Sequence, residues 1–132
     1  MNYSNPTSVL SVDDEMINNF ITKSMFSKYY PATNVTTFLS AQDALNYLQQ
    51  LTIEHRPHPE YLFLDLNMKG LDGWEFLEIY HERGFTKIGT RVVILTSSVF
   101  KKDIEMAKSI DFVHEIISKP LTYEHMEMVM KI

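Results

Sequence analysis

A chain of 132 residues with a net charge of −5 is long enough for one domain with a continuous core. The negative charge disfavours direct binding to nucleic acid or to an anionic membrane, and the absence of cysteine excludes disulfides and thiolate metal sites. No apolar stretch approaches the roughly 20 residues that span a bilayer, so we expect a cytoplasmic location.

Five short segments alternate with helical patterns along the chain. Four of them, residues 9–12, 61–64, 92–95 and 116–117, are apolar at successive positions except at Ser11, which is typical of strands buried on both faces of a sheet. The fifth, residues 34–38, is β-branched but more polar, as expected of an outer strand. The order βαβαβαβαβα predicts the α/β class, because right-handed crossovers turn it into a doubly wound parallel sheet with helices on both faces.

The spacing of apolar residues predicts the helices between these strands. In the first helix, a repeat at i, i+3, i+4 and i+8 predicts one buried stripe made of Ile17, Phe20, Ile21 and Met25. Ser40 followed by Asp43 predicts the start of the second helix. The third is expected after the turn 69–73, the fourth over about 101–109 and the fifth from about 122. Buried residues are expected in the second, third and fifth helices at Ala44, Leu45, Leu48, Phe76, Leu77, Tyr80, Met126, Val129 and Met130.

Polar residues follow four of the predicted strands. Asp13 and Asp14 follow the first strand, Asp65 ends the third, Thr96 ends the fourth and Lys119 ends the fifth. The carboxyl ends of parallel strands share one edge of a sheet, so these side chains are expected to converge in one pocket. Two carboxylates about 5 Å apart repel each other by roughly 3 kcal/mol at an effective dielectric near 20. A hard divalent cation such as Mg²⁺ offsets that repulsion.

These residue types together predict phosphoryl chemistry. One carboxylate can act as a nucleophile toward phosphorus and form an aspartyl phosphate. The metal and the Lys119 ammonium would neutralise charge on the phosphoryl oxygens, while the Thr96 hydroxyl would donate a hydrogen bond.

Four motifs in a fixed order carry a family resemblance. They are Ser11-Val12-Asp13-Asp14, Leu64-Asp65-Leu66-Asn67-Met68 with Gly70-Leu71-Asp72-Gly73, Leu95-Thr96-Ser97-Ser98, and Ser118-Lys119-Pro120-Leu121. The chain thereby resembles, over nearly its whole length, the receiver domain of two-component response regulators. The resemblance implies one receiver domain over residues 1–132 without an output domain, and a five-stranded, flavodoxin-like (βα)5 sheet in the strand order 2-1-3-4-5.

The same resemblance implies roles for individual residues. Asp65 corresponds to the phospho-acceptor, Thr96 and Lys119 would contact the phosphoryl group, and Pro120 would follow a cis peptide bond. Asp14 would bind the metal directly and Asp13 largely through metal-bound water. The implied ligands of Mg²⁺ (or Mn²⁺) are Asp13, Asp14, Asp65 and the backbone carbonyl of Asn67. The protein would then be a phosphorylation-controlled regulator rather than an enzyme, although it assists its own aspartyl phosphorylation and dephosphorylation.

The resemblance also implies partners. The phosphoryl donor would be a sensor histidine kinase or a histidine phosphotransfer protein, and phosphorylation would alter binding to a downstream protein. Three positions depart from the family pattern: Lys69 stands where proline is frequent, Phe112 where many members have glycine, and Ile116 where the family usually places tyrosine or phenylalanine. Isoleucine has no polar tip and is stiff at χ1, so we expect a smaller side-chain switch than in family members with an aromatic residue there.

Each motif taken singly has a plain structural explanation. The acidic pair could cap a helix, Asp65 could begin a turn, and Lys119 could be a solvated lysine. An aspartate-nucleophile phosphohydrolase is an alternative function, but such enzymes usually carry a second acid where this chain has Asn67. A degenerate receiver that serves only as an interaction module is the third possibility. The five histidines show no metal-ligand spacing and are interpreted as surface or loop residues, and residues 52–59 are predicted to form a surface loop.

Overall fold

A computed structural model describes residues 8–97 and 100–130, and within them one parallel sheet of five strands forms the centre of the molecule. The strands are β1 (Ser8–Val12), β2 (Asn34–Phe38), β3 (Tyr61–Leu64), β4 (Arg91–Thr96) and β5 (Val113–Ser118). They lie in the order β2-β1-β3-β4-β5, and every neighbouring pair is parallel. The predicted fold class and strand order are therefore confirmed. The last strand is longer than the predicted pair 116–117.

Helices connect the strands and begin at defined caps. They are α1 (Met16–Tyr29), α2 (Ala41–Ile53), α3 (Gly73–Glu82), α4 (Lys101–Lys108) and α5 (Tyr123–Met130), with a short 3-10 turn at Phe85–Lys87. Ser40 accepts a hydrogen bond from the backbone N–H of Asp43 at the start of α2, as predicted. Asp72 and Glu75 form a reciprocal capping box at the start of α3, which fixes where the chain after β3 turns into a helix.

The core consists of two layers, one on each face of the sheet. Successive residues of β3 alternate between them: Leu62 and Leu64 pack with α2 and α3, while Tyr61 and Phe63 pack with α1 and α5. The buried residues predicted for α2, α3 and α5 are all buried in the structure. Because both faces of the sheet are buried, the strand ends are held in place at one edge of the sheet.

Helix α1 is turned differently from the prediction. The stripe expected to be buried is largely exposed, with Ile17 at 59% and Phe20 at 64% of their accessible surface, and Ile21 and Met25 only half-buried. The helix instead buries Asn19, Thr22 and Phe26. The predicted stripe was wrong because apolar spacing cannot reveal that the Asn19 amide finds hydrogen-bond partners inside the protein, which makes its burial tolerable.

The segment 52–59, predicted to be a surface loop, is partly helical and partly buried. Helix α2 continues to Ile53, Pro59 is buried, and His58 is half-buried with its ring against Phe85. His58 is a loop residue, as interpreted, although its ring is half-buried. The interpretation of every histidine as a surface or loop residue was incomplete for His125, which is half-buried on α5. Within the described ranges, no helix combines the length and apolar composition needed to cross a membrane.

Candidate functional site

The sheet brings the acidic residues together just beyond its strand ends. The backbone N–H of Asp13 donates to the carbonyl of Phe38 at 3.2 Å, and that of Asp65 donates to the carbonyl of Val12 at 3.0 Å, so the sheet hydrogen bonding continues past β1 and β3. Asp14 follows Asp13 in the chain. Each of the three aspartates offers a carboxylate oxygen, and these three oxygens lie within 4.8 Å of one another. The predicted convergence of the acidic residues is present.

Burial makes negative charge costly at this cluster. Asp13 and Asp65 are only 4% and 5% exposed, whereas Asp14 is half-buried. Burial raises the pKa of the Asp65 carboxyl above its ordinary value, and the neighbouring Asp13 carboxylate raises it further, while Lys119 and the backbone of Asn67 lower it. A bound cation would relieve this repulsion.

Lys119 supplies the positive charge that the structure already holds at the cluster. Its Nζ lies 2.6 Å from Oδ2 of Asp13 and 3.4 Å from Oδ2 of Asp65. Its backbone N–H donates to the carbonyl of Thr96 at 2.9 Å, and the peptide bond to Pro120 is cis, as the resemblance implied. The ammonium has three donors, so it can contact two carboxylates and still offer a hydrogen.

The remaining predicted site residues flank the carboxylates. Thr96 is the last residue of β4 and is 2% exposed. Asn67 is exposed, and its backbone N–H lies 3.3 Å from Oδ1 of Asp65. The backbone N–H of Lys69 donates to Oδ2 of Asp14 at 3.0 Å, which ties the loop after β3 to the acidic pair. Ser98, the last residue of the third motif, lies outside the described residues.

Gly73 lets helix α3 begin directly against the backbone of Asp65. A Cβ at this position would lie 2.5 Å from the carbonyl oxygen of Asp65 and 2.6 Å from Cα of Leu66, distances that real Cβ atoms do not adopt. The Gly73 N–H also donates to the Leu66 carbonyl at 3.0 Å. The sequence includes this glycine in a family motif, but the reason for it is visible only in three dimensions.

An open cavity of about 900 Å³ lies beside the aspartates. Its described lining residues are Asp14, Glu15, Leu39, Leu66, Asn67, Met68, Lys69, Asp72, Trp74 and Asp103. Four of these ten residues are acidic and only Lys69 is basic, so the charge of the lining would attract a cation. Sequence reasoning did not single out Glu15 or Asp103, because neither stands at the end of a strand.

The donor set fits a hard divalent cation. Three carboxylates within 4.8 Å of one another offer oxygen ligands alone, the open cavity leaves room for water, and the described chain offers no sulfur or imidazole ligand in this cluster. Mg²⁺ prefers such a site, since it binds through a few carboxylates and retains several waters.

Comparison with known proteins identifies the family. The family model for the response regulator receiver domain matches residues 9–131. The chain belongs to the response regulator receiver domain family. A receiver domain is a regulatory module of two-component signalling, and the acidic cluster of this one lies at the expected edge of a five-stranded parallel sheet.

Solved structures of response regulators resemble this chain over more than nine tenths of its length. A two-component response regulator from Cytophaga hutchinsonii has 28% sequence identity and a TM-score of 0.85, with 96% of this chain and 95% of the other covered. A response regulator receiver protein from Dyadobacter fermentans is also 28% identical, with a TM-score of 0.74 and 92% of each chain covered. The Mn(2+)-bound form of response regulator Rcp1 is 25% identical, with a TM-score of 0.74 and 95% and 90% covered.

Proposed function

We propose that this receiver domain is a signalling switch that accepts a phosphoryl group on Asp65 from a phosphohistidine protein, in a Mg²⁺-dependent reaction in the cytoplasm. One observation supports the proposal most directly. The Lys119 ammonium lies between Asp13 and Asp65 in a cluster of three carboxylates that opens on an acidic cavity. Repulsion among the three carboxylates favours binding of a cation, whereas a structural ion pair needs only one carboxylate.

The residues that would hold the metal are those of the acidic cluster. The carboxylates of Asp13, Asp14 and Asp65 and the backbone carbonyl of Asn67 would bind Mg²⁺ (or Mn²⁺). When bound, the ion would neutralise charge on the phosphoryl oxygens. The Rcp1 relative described above, which was solved with Mn²⁺, is consistent with this choice of ion.

The chain's own groups would carry out the transfer. A carboxylate oxygen of Asp65 would form the new O–P bond while the P–N bond to the donor histidine breaks and its imidazole leaves. Lys119 lies 3.4 Å from Oδ2 of Asp65, so its ammonium would reach an oxygen of the transferred group. The Thr96 hydroxyl, at the end of the neighbouring strand, would donate a second hydrogen bond.

An exposed apolar surface beside the acidic cavity would receive the donor. We call it the α1 apolar surface and define it by Met16, Ile17, Phe20 and Leu39, which are between 49% and 72% exposed. Leu39 lines both the acidic cavity and the groove that contains Met16 and Phe20, so the surface is continuous with the entrance to Asp65. The proposed occupant is a sensor histidine kinase or histidine phosphotransfer protein, because its phosphohistidine must reach this entrance.

No observation favours a small-molecule phosphohydrolase. The position two residues after Asp65 is Asn67, which cannot serve as the acid and base that such an enzyme needs. After transfer, the phosphorylated surface would bind a downstream protein with altered affinity, and that difference in affinity would be the output of the switch.

Intact-mass spectrometry tests the proposed function directly. The protein is incubated with acetyl phosphate and Mg²⁺ and should gain the mass of one phosphoryl group. Asp65→Asn, which keeps the size of the side chain, should fold and gain no such mass. Equal labelling of the wild type and Asp65→Asn would refute the acceptor assignment, and labelling that is unchanged by a chelator would refute the role of the metal.

A further inference from the structure

Asn19 lies on the buried face of α1 and contacts the ends of two strands. Its Nδ2 donates to the backbone carbonyl of Asp13 at 3.0 Å and to that of Phe38 at 3.1 Å. Its Oδ1 accepts a hydrogen bond from Oγ of Ser11 at 2.8 Å. Asn19 is 4% exposed, and both hydrogens of its amide nitrogen have acceptors. One side chain therefore joins α1 to the carboxyl ends of β1 and β2.

The Asp13 carbonyl has a special position in this network. It belongs to the planar peptide group that links Asp13 to Asp14, so a hydrogen bond to it restrains the orientation of the whole group. That orientation determines the directions in which the two carboxylates leave the backbone. The Phe38 carbonyl, the second acceptor of Asn19, also accepts the Asp13 N–H, so β2 holds the N–H of Asp13 directly and Asn19 links its carbonyl to the same end of β2.

We propose that Asn19 is a positioning residue for the acidic pair. It holds the Asp13–Asp14 peptide in the orientation that directs both carboxylates toward Asp65, and it thereby sets the affinity for a divalent cation and the rate of phosphorylation. This inference rests on the proposed function, since it assigns a support to the same site.

The orientation of α1 favours this role over simple packing. The helix carries an apolar stripe that includes Ile17 and Phe20, yet it leaves those residues exposed and buries an amide. Packing alone would be satisfied by an apolar residue, as it is at Phe26 two turns later on the same face. The buried amide therefore has a function that an apolar side chain cannot perform, and its hydrogen bonds lead to the acidic pair.

Three variants separate positioning from general stability. Asn19→Ala removes the amide, and Ser11→Ala removes only the hydroxyl that holds the amide in place. Phe26→Leu is the control, because it weakens packing on the same face of α1 without contacting the acidic pair. Mg²⁺ affinity is measured by titration of the fluorescence of Trp74, the single tryptophan, which lines the acidic cavity.

We expect Asn19→Ala to weaken Mg²⁺ binding about 10-fold, the usual effect of losing a residue that orients a metal ligand, and Ser11→Ala to weaken it about 3-fold. Labelling by acetyl phosphate at a fixed, subsaturating Mg²⁺ concentration should slow in the same order. Phe26→Leu should change the Mg²⁺ affinity less than about twofold, because distant sites act independently. The double variant Ser11→Ala/Asn19→Ala should bind Mg²⁺ with the same affinity as Asn19→Ala, because the Ser11 hydroxyl acts through the Asn19 amide.

Hydrogen exchange supplies a readout without metal. In the metal-free protein, amides of residues 11–15 should exchange faster in Asn19→Ala than in Phe26→Leu at equal global stability. Wild-type Mg²⁺ affinity in folded Asn19→Ala, or an equal loss in Phe26→Leu, would overturn the inference. If Asn19→Ala does not fold, wild-type affinity in Ser11→Ala overturns it. If the wild type itself neither binds Mg²⁺ nor takes up phosphate, the proposed function fails first and the inference fails with it.

Discussion

Nζ of Lys119 lies 2.6 Å from Oδ2 of Asp13, closer than its 3.4 Å distance to Oδ2 of the acceptor candidate Asp65. The side chains of Lys119 and Asp13 are 12% and 5% exposed, so water screens this ion pair only weakly. The ammonium thus neutralises the Asp13 carboxylate, one of the proposed metal ligands. A phosphoryl group on Asp65 would offer it additional negative oxygens and draw it toward that side.

Removing the Lys119 ammonium should therefore have two distinct effects, one on the stability of the fold and one on the switching. Lys119→Met leaves Asp13 without its partner and should cost about 3 kcal/mol of unfolding free energy in metal-free buffer. Mg²⁺ should restore part of that loss, because a cation replaces the missing charge. Urea denaturation with and without Mg²⁺ measures both effects. A metal-free loss below about 1 kcal/mol would show that the pair is no more than a surface ion pair.

Lys119→Arg tests the shape of the site rather than its charge. The guanidinium is planar and larger than an ammonium, so a nearly buried pocket beside two carboxylates should hold it poorly. We expect slower labelling by acetyl phosphate, or labelling without a change in partner binding. Wild-type labelling together with wild-type partner binding would contradict a coupling role for Lys119.

Asp14→Ala should abolish Mg²⁺-dependent phosphorylation. In the wild type, Mg²⁺ at 100 times its dissociation constant should stabilise the fold by about 2.7 kcal/mol, and this gain should disappear in the variant. The metal-free variant should be as stable as the wild type, since loss of one carboxylate repulsion offsets loss of the hydrogen bond from the Lys69 backbone. Thermal melts with and without Mg²⁺ test this. A wild type that gains nothing from Mg²⁺ would contradict the metal site.

Gly73→Ala should disturb the acceptor through its backbone. The added Cβ would overlap the Asp65 carbonyl, so the start of α3 must move, at a cost of about 1–3 kcal/mol. Phosphorylation should slow, because the overlap is with the acceptor residue itself. Gly84→Ala is a matched control: it strains a residue with φ of 78° but has open space around its Cβ. If both variants lose activity equally, general destabilisation explains the effect.

Much of the fold and of the candidate site can be predicted from the sequence with one rule about parallel sheets. Apolar segments predicted the strands, and the rule that ligands gather at the carboxyl ends of parallel strands brought Asp13, Asp65 and Lys119 to one edge. The orientation of α1 did not follow, because apolar spacing favours Ile17 and Phe20 as buried residues. Only the positions of strand-end carbonyls in space reveal that Asn19 belongs inside. How Ile116, half-buried on β5, affects switching stays a prediction.

The α1 apolar surface should be required for a protein donor but not for a small one. Phe20→Glu removes a large apolar contact and should slow transfer from a phosphorylated histidine phosphotransfer protein about tenfold or more, since burial of a phenylalanine side chain is worth about 1.5–3 kcal/mol. Labelling by acetyl phosphate should not change. Ile53→Glu is the control, because Ile53 is 61% exposed at the far end of α2. Equal slowing with both donors would show that Phe20 supports the fold instead.

His58 has one ring nitrogen with a hydrogen-bond partner and one without. Its Nε2 lies 2.8 Å from the Thr52 hydroxyl oxygen, which also lies 3.2 Å from the carbonyl oxygen of Leu48. Nδ1 is buried without a hydrogen-bond partner in the described part of the chain, and the ring lies against Phe85.

Stability should consequently depend on pH through His58. Protonation of the neutral ring would place a charge in this half-buried position, and burial lowers the pKa of His58 below its ordinary value of 6.5. Between the lowered pKa of the folded state and 6.5, the unfolded chain binds more protons than the folded one. The contribution of His58 to the free energy of unfolding is therefore fully present above pH 6.5 and is lost as the pH falls toward the folded pKa. Urea denaturation of the wild type, His58→Asn and the exposed-residue control His55→Asn from pH 7.5 to pH 5 measures the dependence. The stability difference between wild type and His58→Asn should narrow as the pH falls, whereas that for His55→Asn should change less. A constant difference for His58→Asn would show that protonation of His58 is not linked to folding.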